Sequence, residues 1–154
     1  MDFSTLLTDE IQEFIDSNLD KNPTELALKK NPFLSVDYPE LINQIIAKKK
    51  AKDKLPTWFE TKNIIYPAKI SIEQTSSEIT AKYKANLLSG KSIIDLTGGF
   101  GVDCYYFSKK FEKVIHCEKN AELSEIVKHN YEKLEVGNIE CLAKNSTEIL
   151  TDST

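Results

Sequence analysis

The sequence predicts a mixed α/β fold: a helical N-terminal region, then the first half (β-α-β-α-β) of a doubly wound parallel sheet. Three observations carry that prediction. Short apolar runs at 92–96, 114–117 and 139–143 have the length of buried strands, and helical patterns at 102–111 and 121–134 separate them. The first two runs lead into acids, Asp95 and Glu118. Between Asp95 and the first of these helices lies a glycine-rich turn, Leu96-Thr-Gly98-Gly99-Phe-Gly101, the punctuation of a strand-to-helix switch. The composition changes near residue 70, which divides the chain into a mostly helical accessory region, 1–70, and a partial sheet domain, 71–154.

In the first region, residues 4–19 read as a helix with Ile11, Phe14, Ile15 and Leu19 on one face. Asn22-Pro23-Thr-Glu25 starts a second, with Asn22 as N-cap and Glu25 placed for a capping box; Pro32 should stop it near Asn31. Asp37-Tyr-Pro39-Glu40 starts a third, striped by Leu41, Ile42, Ile45 and Ile46 and ending in Lys48-Lys-Lys-Ala-Lys-Asp-Lys54, cations that suit a helix C-terminus. Leu55-Pro56-Thr-Trp58-Phe59 reads as a short helix or turn whose aromatics pack in a core or stack on a nucleobase. Ile64–Pro67 and Lys69–Ser71 read as extended. A further helix runs from Ser71 or Thr75, both capping-box positions, to about Leu88, with Gly90 as its left-handed C-terminal residue. It leads straight into the first strand, so Gln74, Ser76, Ser77 and Thr80 become candidates for a pocket over the glycine turn, or else simply cap the helix.

The turn itself discriminates among ligands. A dinucleotide fingerprint needs a third glycine where Cys104 stands, and the chain holds no phosphate-binding Gly-Lys-Ser/Thr string. An acid directly before the turn repels a pyrophosphate. It suits a ligand with an ammonium group, and Glu118 at the next strand end can accept two ribose hydroxyls. The pair reads as a site for S-adenosylmethionine (SAM), so the sheet is expected to be a Rossmann-like, SAM-binding one.

These residues resemble a known family. Asp95-Leu-Thr-Gly-Gly-Phe-Gly-Val-Asp103 is similar to motif I of class I SAM-dependent methyltransferases, in the form found in some RNA guanine-N2 methyltransferases, and Glu118 matches the ribose-binding acid of motif II. Gly137–Ser146 resembles the third strand and its turn, with Asn145 where relatives often carry an Asp beside the adenine amine. Gln74-Thr-Ser-Ser-Glu78-Ile-Thr-Ala-Lys-Tyr-Lys84 resembles bacterial proteins in which a helical region, a methyltransferase domain and a THUMP-like domain follow one another. The resemblance implies a cofactor set of Asp95, Thr97, Gly98, Gly99, Gly101, Glu118, Lys119 and Asn145. Gln74, Ser76, Thr80 and Asp103 are further pocket candidates. The cofactor is SAM and the acceptor an RNA, with a guanine exocyclic amine as one target. A non-catalytic binding or interaction module on the same fold is the competing reading.

Composition sets bounds. The chain has 154 residues, 40% hydrophobic and 29% charged. It has no apolar run near the roughly 18 residues of a membrane span and no secretory signal pattern, so a cytoplasmic protein without membrane contact is expected. Cys104, Cys117 and Cys141 lack C-x-x-C spacing, and His116 and His129 lack partners at metal spacing, so no metal site is expected and packing or solvent accounts for both histidines. Residues 21–91 hold 13 Lys against 7 acids, whereas 92–154 hold 7 Lys against 11. The basic balance suits an RNA-facing surface, although the chain contains no Arg and a solvated helix face is the slightly better account of the Lys48–Lys54 run itself.

A class I core has seven strands, and this sequence supplies three. The fourth strand of amine-directed relatives ends in an Asn/Asp-Pro-Pro-aromatic motif that holds the acceptor. The nine residues after Asn145 contain neither Pro nor an aromatic. The chain is therefore expected to be the N-terminal part of a longer enzyme, truncated after the third strand, with its catalytic residues beyond Thr154. Alone it should bind SAM weakly or not at all, catalyse nothing, and self-associate through its uncovered sheet or remain partly disordered.

Overall fold

The computed structural model describes residues 2–67 and 69–152. The chain forms two compact units, Met1–Glu73 and Gln74–Thr154.

The first unit is helical. A 3-10 turn, Ser4–Leu7, precedes α1, Asp9–Ser17, so the single helix expected over 4–19 is broken. At the break Thr8 is extended, with ψ 144°, and its hydroxyl donates back to Thr5 O at 3.1 Å, closing the preceding turn instead of continuing the helix. The next helix, α2, Pro23–Ala27, starts as expected, with Asn22 Oδ1 accepting the Thr24 and Glu25 amides. It stops well short of Asn31. The Asn31 side chain organises the following loop, accepting from Phe33 N at 2.9 Å and donating to Val36 O at 2.8 Å, and such side-chain bonds compete with helix. The long α3, Tyr38–Lys54, is capped by Asp37 and buries Leu41, Ile42 and Ile45. The short α4, Pro56–Glu60, places Trp58 wholly inside, so this ring packs in the core and is not a stacking platform.

Residues 64–67 have no regular structure, yet Ile64, Ile65 and Tyr66 are buried. Their backbone needs partners, and Gln44 of α3 supplies two: its amide donates to Tyr66 O at 2.7 Å and accepts from Tyr66 N at 2.9 Å. One side chain thus takes the place of a neighbouring strand. Residues 69–71, expected to be extended, instead begin α5, Lys69–Gln74.

The lysine run is partly engaged inside this unit. Lys48 pairs with Asp16 of α1 at 2.5 Å, Lys50 pairs with Glu73, and Lys54 donates to the carbonyls of Ile72 and Glu73 at 3.1 and 2.9 Å. These contacts tie α1 and α5 to α3. Lys49 and Lys52 lie further towards solvent.

The second unit opens with α6, Glu78–Asn86. Its N-cap is Ser77, which accepts from Thr80 N at 3.1 Å. The long helix expected from Ser71 or Thr75 is therefore two helices parted at residues 75–77. The α6 helix ends at Asn86, with Leu87 and not Gly90 as its C-cap; Gly90 lies further on with φ +151°. It buries Ala81 and Ala85 and exposes Ile79, Tyr83 and Leu87.

Then come β1, Ser92–Asp95; α7, Val102–Phe107; β2, Lys113–Cys117; α8, Ala121–Lys133; β3, Ile139–Leu142; and α9, Ser146–Asp152. The strands are parallel in the order β1-β2-β3, with Asp95 opposite His116 and His116 opposite Cys141. This is the α/β architecture the sequence predicts, helices followed by a half-built parallel sheet. The helix expected to reach Phe111 ends at Phe107, where Asn138 Nδ2 takes the carbonyls of Ser108 and Phe111 at 2.9 and 3.0 Å. The tail after Asn145, for which the sequence predicts no element, forms α9 as far as Asp152; its last two residues lie outside the described ones.

Alternation along the strands puts Val114 and His116 on one face, both buried, with Ile115 on the other. On that second face Ile94 is exposed and Lys113 pairs with Glu140 at 2.9 Å. Among the described residues β1 has one strand neighbour, so its outer edge is unpaired. No helix of the described residues is long and apolar enough to cross a membrane.

Replacing Gln44 with Leu keeps the volume but removes the two hydrogen bonds that Gln44 makes to the Tyr66 backbone. It is expected to cost about 1–3 kcal/mol, read as a lower midpoint in urea unfolding. The Asn43→Leu change at the neighbouring exposed position of α3 should shift that midpoint little.

Candidate cofactor-binding site

The site is built around the turn from β1 to α7. Gly98 N donates to Cys117 O at 2.9 Å, extending the β1–β2 pairing by one step, and Gly101 N closes the turn on Gly98 O at 2.9 Å. Two side chains support the turn. His116 Nε2 donates to Gly99 O at 3.0 Å, and Tyr131 of α8 donates to Gly101 O at 2.8 Å. The two rings meet edge to face with centroids 6.0 Å apart.

This packing explains two of the glycines. A Cβ on Gly98 would collide with the His116 ring, and one on Gly101 would collide with the Tyr131 hydroxyl, at a residue that also holds φ +83°. The glycines make room for protein side chains beneath the turn as well as for a ligand above it.

The acids sit where the strands end. Asp95 Oδ1 accepts from Thr97 N at 2.9 Å and from the Thr97 hydroxyl at 3.3 Å, and its other oxygen lies 3.8 Å from Cys104 Sγ. Glu118 bridges two elements: Oε2 accepts from Gly99 N at 3.1 Å and Oε1 from Asn120 N, at the start of α8, at 2.9 Å. Each carboxylate oxygen keeps further acceptor capacity, so this bridge orients the group and still lets it take hydroxyls.

Beside it lies an open cleft of about 270 Å³, lined by Leu96, Thr97, Glu118, Lys119, Asn145 and Ser146. It gathers Thr97, Glu118, Lys119 and Asn145 of the expected cofactor set, and Asp95 and the glycines form the adjoining turn. Asn145 Oδ1 also accepts from Thr147 N at 3.4 Å, at the beginning of α9, so this side chain caps a helix while it lines the cleft.

The other pocket candidates separate. Ser76 and Asp103 meet, at 3.2 Å. Ser77 and Thr80 bond to each other at 2.9 Å in the α6 cap, and Gln74 is exposed at the end of α5. Sequence reasoning left His116 to packing or solvent and gave Tyr131 no role. Nothing local marks them, since they meet the turn from 17 and 30 residues away.

The remaining chemistry is quiet. Burial raises the Cys104 thiol well above its ordinary value, with Asp95 and Asp103 adding to the effect, and pushes Cys141 up to about 11. Both are thiols at neutral pH, poor candidates for nucleophiles. Among the described residues no group of three or more His, Cys, Asp or Glu is placed to hold a metal ion.

No family model matches the chain, and no curated protein matches it significantly. Among solved structures it is similar to one from Porphyromonas gingivalis W83, described as a "putative methyltransferase". The TM-score is 0.80 and the identity 26%, over 98% of this chain and 38% of that one. The chain therefore has a methyltransferase-like fold and spans well under half the length of the protein it matches.

Two outcomes follow from the supported turn. Gly98→Ala and Gly101→Ala are each expected to lower stability by about 1–3 kcal/mol through overpacking. Gly137→Ala, where nothing lies within 4 Å of the added Cβ, should be nearly neutral by the same thermal unfolding assay.

Burial also holds the His116 imidazole below its ordinary 6.5. As pH falls through that value the unfolded chain binds a proton that the folded chain does not, so stability declines. The melting temperature should drop between about pH 7.5 and about pH 5.5, and His116→Gln, a neutral donor, should flatten that drop.

Proposed function

We propose that this chain is the cofactor-binding part of a SAM-dependent methyltransferase that acts on RNA, a guanine exocyclic amine being one candidate target. The observation that carries the cofactor reading is the placement of Glu118. Its carboxylate stands at a strand end in an open cleft, oriented by the Gly99 and Asn120 amides and beside the glycine turn that follows Asp95. A ribose needs such an acceptor, and an ammonium needs an acid like Asp95. The likeness to the Porphyromonas structure supports methyl transfer as the reaction class. SAM supplies an electrophilic methyl on a cationic sulfur, and the chain's own part is to hold the nucleoside at Glu118, Lys119 and Asn145 and the amino-acid end at Asp95. Such transfer is chiefly a matter of positioning for in-line attack.

The RNA acceptor rests on the resemblance of motif I and on the basic balance of residues 21–91. Lys49 and Lys52 are the members of the lysine run best placed to meet phosphates, since Lys48, Lys50 and Lys54 have partners within the first unit.

The intact protein should transfer a labelled methyl group from SAM to RNA, and Asp95→Ala should abolish transfer while leaving the melting temperature within a few degrees. Full turnover by Asp95→Ala refutes the site. SAM binding with no transfer to any RNA or protein fraction favours the non-catalytic module.

A further inference from the structure

His116 stands two residues before Glu118 on β2, with Asp95 of β1 on one side and Cys141 of β3 on the other. It is wholly buried. A residue that only filled this space would be apolar. Histidine instead brings two ring nitrogens into a layer without water, and its Nδ1 has no partner among the described residues. An unpaired buried acceptor is a penalty that packing alone has no reason to carry.

The other nitrogen accounts for the choice. His116 Nε2 lies 3.0 Å from Gly99 O. A carbonyl only accepts, so Nε2 carries the ring proton and Nδ1 is left as the acceptor. At its other end Gly99 donates its amide to Glu118 Oε2 at 3.1 Å. Two residues of one strand thus grip a single residue of the turn, the histidine by its carbonyl and the glutamate by its amide. The ring has little freedom to change this. A Cβ on Gly98 would collide with it, and Tyr131 meets it edge to face with centroids 6.0 Å apart.

The grip matters for Glu118. Its carboxylate is oriented by two amides, those of Gly99 and Asn120. Asn120 is two residues away and moves with Glu118. Gly99 is 19 residues away, so its bond is the one that registers the carboxylate against the glycine turn. Without the bond from His116 the peptide units around Gly99 can rotate, and the amide then leaves the carboxylate.

We propose that His116 is a positioning residue for the ribose of the cofactor. It holds Gly99 so that the Gly99 amide keeps Glu118 in the orientation that receives the ribose hydroxyls. The histidine acts through Gly99 and touches neither the ligand nor the reacting atoms. The assignment rests on the cofactor reading above. It adds that recognition of the ribose depends on a neutral ring-nitrogen donor beneath the turn.

Calorimetric titration of the intact protein with S-adenosylhomocysteine and with its 2′-deoxy analogue tests it, at about pH 7.5, where an imidazole is neutral. Wild type should bind the ribose form about tenfold more tightly, equivalent to about 1.4 kcal/mol. His116→Leu, which fills the space without a donor, should lose most of that preference by weakening the ribose form alone. His116→Gln, whose amide can donate from nearly the place of Nε2, should keep it. An equal loss for both ligands in His116→Leu, or an unchanged preference, overturns the role of His116. Should the leucine variant fail to fold, the wild-type ring answers by NMR. Solvent exchange of its Nε2 proton should slow when S-adenosylhomocysteine is added and not when the 2′-deoxy analogue is. Equal slowing by both, or none, overturns the proposal. If wild type binds neither ligand, the cofactor reading itself fails.

Discussion

The backbone between Asp95 and Val102 turns sharply out of a strand into a helix; the first turn of α7 gives the Gly101 carbonyl one partner, the Tyr105 amide at 3.0 Å, and side chains give further ones to the carbonyls of the turn. His116 and Tyr131 supply two of them, at Gly99 and Gly101. Because these bonds draw the turn down onto the two rings, the rings occupy the space a Cβ would need at Gly98 and Gly101. Strand pairing, glycine identity and ring placement are therefore one constraint. It fixes where β1 ends after Asp95 and where α7 begins before Asp103, and so the spacing of the charged groups on either side.

Glu118 applies the same logic from the second strand. By accepting one amide from the glycine turn and another from the start of α8, it joins the two β–α connections that flank the cleft. A group held this way is oriented before any ligand arrives, so less conformational entropy is lost on binding. The same bridge makes Glu118 a structural residue as well as a binding candidate.

In the first unit, polar side chains take on tasks that strands perform elsewhere. Gln44 pairs with the backbone of Tyr66 as a neighbouring strand would. Lysines that would make an electrostatic surface are partly consumed: Lys48, Lys50 and Lys54 hold α1 and α5 against α3. A run of like charges in sequence is therefore a smaller patch on the molecule than its count implies.

Local features of the sequence determined much of this protein. Asn22, Asp37 and the strand runs of the second unit lie where their local chemistry places them, because capping bonds and period-two burial involve neighbours in the chain. The glycine turn, Asp95 and Glu118 were legible for the same reason: strand, turn and acid are contiguous. Helix ends were less so. Thr8, Asn31 and Asn138 stop or break helices through hydrogen bonds that propensity alone does not foresee. The helix that begins at Lys69 docks on Lys54, which takes the Ile72 carbonyl from 18 positions earlier in the chain. Only the tertiary structure could show that His116 and Tyr131 support the turn, or that Lys84 faces Asp103. Those contacts span 17, 30 and 19 residues, and no local pattern encodes a meeting that depends on how a sheet and its helices close around a common core.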